Sequence, residues 1–324
     1  MKQLTRAFVA VFVVSFALLF WIKELNASEG YSGDKTISVY NWGDYIDEEL
    51  VAKFEEETGY KVIYSTFDSN EAMITKINQG GTNYDVVVPS EYAIQKMVED
   101  DLLQAIDHSL IPNLQYIDDR FLDLSFDPGN KYSIPYFWGT VGIVYNTKLL
   151  EDRTFNSWND LWAEDLENEI LLVDGAREVM GMGLNSLGYS LNSRDDSQLI
   201  EAKEKLDTLT PNIKAIVGDE IKMLLANEEA SIGVVWSGDA ADIMWQNENL
   251  DYVVPSEGSN LWFDNFVIPK DATNVEGAHA FINFMLDPEN AAQNADYVGY
   301  STPNIGAFEY MDEEVITDER FYPS

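Results

Sequence analysis

Cysteine is absent from the 324 residues, which removes disulfides, thiolate metal sites, thiol nucleophiles and the residue a lipid-anchored secreted protein would need. Histidine occurs twice. His108 lies in an Asp-rich turn and His279 in a helical segment far away in the chain, so neither forms a metal pair or marks a catalytic base. Zinc and hydrolase chemistry lack their usual parts, and no metal or cofactor is expected. Basic residues are also scarce, 20 against 57 acidic ones, for a formal net charge of -37. Such a surface repels nucleic acid and anionic lipid headgroups, and it attracts cations over long range. Solubility in a salty habitat accounts for much of the same excess, so the charge permits a cationic ligand without identifying one. There is no internal repeat, heptad array or low-complexity tract.

At 46% apolar composition the chain can bury a large core, and its length suits two domains. The N-terminus has the pattern of an export signal: Lys2 and Arg6 precede an apolar run from Ala7 to Ile22, ended by Lys23 and Glu24. That run is shorter than the roughly 20 residues of a comfortable membrane span. Residues 1–28 therefore read as a cleaved signal or an N-terminal anchor, and the working domain as extracytoplasmic (secreted, periplasmic or tethered to the outer face of the membrane). Cleavage after Ala27 would place Leu25 where a small residue is preferred.

From Lys35 strands and helices alternate. Ile37 to Trp42 reads as a strand, Asp47 to Thr58 as a helix with Leu50, Val51 and Phe54 on one face, and Gly59 as its stop. Lys61 to Phe67 is a second strand, and Glu71 to Asn78 a short helix. Tyr84 to Val88 is a strand apolar enough to be buried on both faces, and Glu91 to Glu99 a helix. This βαβαβα order predicts a doubly wound layered lobe, with ligands bound beyond the carboxyl ends of its strands. Ile134–Gly139 and Val141–Asn146 read as two extended pieces joined through glycines. A second α/β set follows: Glu169 to Val173, the helices Arg177–Leu187, Ser197–Leu209 and Glu220–Ala226, the strand Ser231–Trp236, and the helix Asp239–Asn247. After these come the strand Tyr252–Pro255, the apolar stretch Leu261–Pro269, and the helix Val275–Leu286.

Aromatic residues recur beside carboxylates at the ends of these elements. Trp42, Asp44 and Tyr45 share one strand-to-helix turn, Tyr92 follows Ser90, and Glu178 follows Asp174. Trp236 ends a strand, Trp262 stands two residues before Asp264, and Tyr300 follows a helix. Each has a plain structural explanation: Trp236 as core, Glu178 as a first-turn acid favoured by the helix dipole, Asp44 as a turn residue. Asp264 is the exception, because it interrupts an otherwise apolar strand, where a carboxylate needs a partner. No lysine or arginine lies within several residues of Asp44 or Asp264 along the chain, and a cationic ligand would fill that role. Ring faces would attract the cation and cover its methylenes.

A set of ordered stretches resembles the substrate-binding proteins of ABC polyamine importers, the spermidine/putrescine-binding family. They are Tyr40–Tyr45, Phe67–Glu71, Asp85–Ser90, Phe126–Asn130, Ile134–Tyr136, Asp174–Val179, Trp262–Asp264 and Gly299–Asn304, running from about Lys35 to the C-terminus. The resemblance implies an α/β, two-lobed periplasmic-binding-protein-like (type II) fold, with mixed, mainly parallel sheets and a ligand cleft at the hinge. The lobes would comprise residues 35–139 plus 262–305 and residues 142–258 plus 306–324. It further implies a protein that performs no chemistry and carries spermidine or putrescine to ABC permease subunits, meeting the membrane only through its N-terminal segment. The implied ligand contacts are the aromatics Trp42, Tyr45, Tyr92, Trp236, Trp262 and Tyr300, the carboxylates Asp44, Glu178 and Asp264, and Ser90. In two places the pattern departs. Gly175 stands where spermidine-type members often carry an acidic residue before Ala-Arg-Glu, and family members usually continue beyond the position of Ser324. A receptor of the same fold for an amine osmolyte, sugar or iron complex, and an extracellular glycoside hydrolase with paired carboxylates, are the alternatives.

Overall fold

The computed structural model describes residues 33–151 and 153–322, together with 14–16 and 18. The expected leader, 1–28, thus lies almost wholly outside the described residues. Among those described, no helix is long and apolar enough to cross a membrane.

The first strand, β1 (Thr36–Trp42), carries Ile37 and Val39 fully buried. Helix α1 (Glu48–Thr58) begins where the Asp47 carboxylate accepts the Glu49 N–H and ends at Gly59, whose φ of 73° only glycine adopts cheaply. Then come β2 (Lys61–Phe67), α2 (Asn70–Gln79), β3 (Val86–Val87), α3 (Glu91–Glu99) and β4 (Ser133–Asn146). Short 3-10 turns fill most of residues 108–130. Further along are β5 (Ile170–Val173), α4 (Ala176–Ser186), α5 (Asp196–Leu209), β6 (Ile213–Val217) and α6 (Glu220–Ala226). The remaining elements are β7 (Ile232–Trp236), α7 (Ser237–Gln246), β8 (Leu250–Val253), β9 (Leu261–Val267), α8 (Val275–Met285), α9 (Pro288–Val298) and α10 (Glu313–Ile316).

These elements divide into two compact units. The first comprises residues up to 115 with 122–134 and 265–287; the second comprises 116–121, 135–264 and 288–324. In the first, β1 pairs in parallel with β2 (Thr36 opposite Lys61) and with β3, and β3 pairs antiparallel with β9 at Val87 and Val267. The expected strand 84–88 is only two residues by strict pairing. Even so, Asp85 N–H donates to Ser38 O (2.8 Å) and Val88 N–H to Tyr40 O (3.2 Å). Val86, Val87 and Val88 are all fully buried, as a strand covered on both faces requires. Helices close over this sheet: Phe54 of α1 meets Phe281 and Phe284 of α8 edge-on at 5.2 and 5.3 Å. The buried Asp85 carboxylate accepts N–H bonds from Ser38, Thr273 and Asn274, each at 2.8 Å, so its charge is used internally. His279 is likewise structural, with one ring nitrogen accepting the Asp107 N–H (3.0 Å) and the other on Val275 O (2.7 Å).

In the second unit, β4 pairs antiparallel with β7 and β8, and β5 pairs in parallel with β6 and β7. Both sheets are therefore mixed and the class is α/β, as expected. The two extended pieces anticipated around Gly139 are one continuous strand, β4. Its glycines serve as seats for rings, not joints. A Cβ at Gly139 would lie 2.6 Å from the Trp262 ring, and one at Gly142 would lie 2.5 Å from the Tyr252 ring. Strand β6 escaped the sequence reading because only Ile213, Ala215 and Val217 are partly covered, while Lys214 and Ile216 face solvent. The units also differ in extent from the lobes drawn on the sequence. Residues 288–305 fall in the second unit, where Asn294 Nδ2 donates to the Tyr136 hydroxyl (2.8 Å) and Trp138 bridges to Ser301.

Candidate ligand-binding site

In the first unit the candidate residues gather at the carboxyl ends of β1 and β3. Trp42 closes β1 with its ring 4.5 Å from Phe67, tilted by 54°. Its indole Nε1 is buried with no hydrogen-bond partner among the described residues. Asn41, itself buried, pins the turn that follows: its side-chain oxygen accepts the Trp42 N–H (2.9 Å), and its amide donates to Tyr45 O (3.5 Å). Asp44 adopts φ 49°, a left-handed conformation that Asp tolerates, and is exposed, whereas Tyr45 is buried. The turn thus holds a solvated carboxylate between a half-buried and a buried aromatic residue.

Ser90 and Tyr92 are brought together by a residue the sequence reading did not single out. Asn70, at the start of α2 and only 3% exposed, donates to Ser90 Oγ (3.1 Å) and to the Tyr92 hydroxyl (2.9 Å). Its side-chain oxygen accepts the Ser90 N–H at 3.1 Å. One amide therefore fixes both candidate contacts. The only sequence signal for it was its place within the matching stretch Phe67–Glu71.

The second unit carries the other five. The parallel strands β5 and β7 run side by side, Leu172 opposite Val234, so the Asp174–Gly175 turn and Trp236 lie at neighbouring strand ends. Gly175 precedes α4, and a Cβ there would lie 2.2 Å from Glu178 Oε2, so the Glu178 carboxyl folds back over the Gly175 Cα. Trp262 and Asp264 are both buried on β9. The Trp262 ring stands nearly perpendicular (78°) to that of Tyr300 at 5.1 Å. Tyr300 in turn packs flat on Gly238, where a Cβ would come within 2.3–2.5 Å of three ring atoms. Its hydroxyl donates to Asp239 Oδ1 at 3.3 Å. Trp262, Asp264 and Tyr300 thus form one group, and Asp239 in the first turn of α7 joins it unforeseen.

Electrostatics mark the same group. Burial pushes the Asp239 carboxyl up to about 6; the positive charge of Lys222 opposes the rise, and Asp219 and Asp242 add to it. Burial also raises the Tyr300 hydroxyl well above its ordinary value, with the charges of Asp239 and Asp264 next in effect, so it remains a donor. Among the described residues, no cluster of three or more His, Asp or Glu side chains could hold a metal ion. The arrangement offers carboxylates, ring faces and hydroxyls, which is the donor set for a cation with apolar segments.

Residues 49–322 match the family described as bacterial extracellular solute-binding protein, and the chain belongs to that family. Its relatives are more particular. The spermidine/putrescine-binding periplasmic protein of Salmonella typhimurium is 40% identical over 302 residues, covering 92% of this chain and 86% of its own length. The spermidine/putrescine ABC transporter substrate-binding protein of Streptococcus pneumoniae, solved with calcium and HEPES, shares 59% identity. It superposes with a TM-score of 0.81 over 90% of each chain. A solved protein of Listeria monocytogenes shares 62% identity and a TM-score of 0.86, again over 90% of both chains.

Proposed function

We propose that this chain captures a polyamine, spermidine or putrescine, outside the cytoplasm and hands it to an ABC import permease without catalysing a reaction. The observation that carries this reading is the perpendicular Trp262–Tyr300 pair beside the buried carboxylate Asp264. A protonated amine donates up to three charge-assisted hydrogen bonds, and ring faces cover its methylenes while attracting its charge. A ligand with several separated ammonium groups needs anions in more than one place. Each unit supplies aromatics with carboxylates or hydroxyls: Trp42, Asp44, Tyr45, Ser90 and Tyr92 in one, Glu178, Trp236, Trp262, Asp264 and Tyr300 in the other. The names and identities of the relatives support the same ligand class. The family's description as extracellular supports a location outside the cytoplasm, and the ABC transporter named for the Streptococcus pneumoniae relative supports delivery to a permease.

The test is thermal unfolding of residues 28–324 with spermidine, putrescine, glycine betaine or maltose, at low and physiological salt. A ligand at 100 times its dissociation constant stabilises the folded state by about 2.7 kcal/mol, a clear shift in midpoint. A shift with the polyamines alone that survives salt is expected. A shift with betaine or maltose, and none with either amine, would overturn the reading.

Gly175 gives a second expectation. The atoms a Cβ would meet belong to the flexible end of Glu178, so Gly175→Ala leaves the fold intact but moves the carboxyl from its seat. Displacing one clamping charge is expected to weaken spermidine binding about tenfold, near 1.4 kcal/mol, with the midpoint of the free protein within about 1 kcal/mol of the original. Titration calorimetry checks this, and unaltered affinity would remove Glu178 from the site.

A further inference from the structure

Asp239 has no part in the set of contacts implied by resemblance, yet it is built into the group that holds the ring pair. It lies in the first turn of α7, directly after Gly238, on which the Tyr300 ring rests. Tyr300 donates to it, and Trp262 stands nearly perpendicular to the same ring. The charged and titratable neighbours of Asp239 come from every side. Lys222 lies on α6 and Asp219 just before it; Asp242 is one turn on along α7 and pairs with Lys222 at 3.8 Å, and the Tyr300 hydroxyl faces it from beyond α9. Burial, with smaller contributions from Asp219 and Asp242 and against the opposing effects of Lys222 and the Tyr300 hydrogen bond, keeps the carboxyl protonated to a higher pH than an exposed aspartate would be.

We propose that Asp239 is a positioning residue for cation capture: its carboxyl orients the Tyr300 hydroxyl and, when ionised, adds negative charge behind the ring pair, a charge that protonation withdraws. This inference rests on the polyamine reading of the same site. The chemistry is cooperative. A phenol that donates to a carboxylate becomes a better acceptor through its own oxygen, and an ammonium group is a donor that can use it. A nearby cation favours the ionised carboxyl, so binding below the carboxyl's midpoint must release a proton. The affinity therefore falls as pH falls through about 6, the value set by burial. In the free protein the sign is opposite. The folded-state value lies above that of an exposed aspartate, so the folded state holds the extra proton between them, and this group favours folding more as pH drops from 6 toward 4.

The test is calorimetric titration of the wild type and Asp239→Asn with spermidine at pH 7.5, 6.5 and 5.5. One proton released from a group titrating near 6 is expected to weaken wild-type binding about fourfold from pH 7.5 to 5.5. Asp239→Asn keeps an acceptor for Tyr300 but cannot titrate, so its affinity, lower at pH 7.5, should change less than twofold over that range. A purely structural role would shift both curves in parallel, and equal pH slopes in the two proteins overturn the proposal. Absence of polyamine binding by the wild type at pH 7.5 would instead overturn the function on which it rests.

Discussion

Replacing Asp264 by asparagine is expected to weaken spermidine binding at least about 100-fold while the protein stays folded. The substitution keeps the size of the side chain and removes its charge from a buried position on β9, only 6% exposed. Taking one partner out of a desolvated charged pair costs about 2–5 kcal/mol, and each 1.4 kcal/mol is a factor of ten. Trp262→Ala should also abolish capture, but truncating a buried tryptophan opens a cavity that costs about 3–5 kcal/mol in fold stability, so the asparagine variant is the cleaner probe. Titration calorimetry beside a thermal melt of the free protein separates the two effects. If both variants bind spermidine as the wild type does, the site assignment is lost.

The second large effect is expected at Gly238. A methyl group there would come within 2.5 Å of three atoms of the Tyr300 ring. The ring has little room to yield, because Trp262 stands against it at 5.1 Å and its hydroxyl is held by Asp239 at 3.3 Å. Gly238→Ala should therefore cost about 1–3 kcal/mol of stability through overpacking. It should also weaken polyamine binding by about a factor of ten or more as the ring leaves its place. A stable variant with unchanged affinity would show that the orientation of Tyr300 does not matter. Adding Tyr300→Phe provides a control: the smaller ring edge keeps the clash but removes the hydroxyl, so its effect isolates the hydrogen bond to Asp239.

Much of this was legible in the residues. Gly59 marked a helix end, the run Val86–Val88 announced a strand covered on both faces, and the pairing of aromatics with carboxylates drew attention to the turn after β1 and to β9. What escaped depends on contacts between distant residues. Asn70 is a short polar residue opening a helix, and nothing local says that its amide reaches Ser90 and Tyr92, 20 and 22 positions on. Asp239 read as the start of a helix, whereas α7 begins two residues earlier, which turns the carboxyl into a first-turn neighbour of a ring 61 positions away. The continuity of β4 was hidden for a related reason. Gly139 suggested a break, but the empty space above a glycine in a strand is also where an indole can lie.

The first unit is assembled from three separated stretches, and its last piece arrives late in the chain. Strand β3 gains its neighbour on one side only at Val267, and two of the N–H groups that satisfy the buried Asp85 come from Thr273 and Asn274, some 188 residues downstream. The strands β1, β2 and β3 thus cannot complete their own sheet. A chain halted before residue 265 keeps β3 with an open edge and a buried carboxylate short of donors, so the closing stretch, Asn265 to Asp287, acts as a keystone set last.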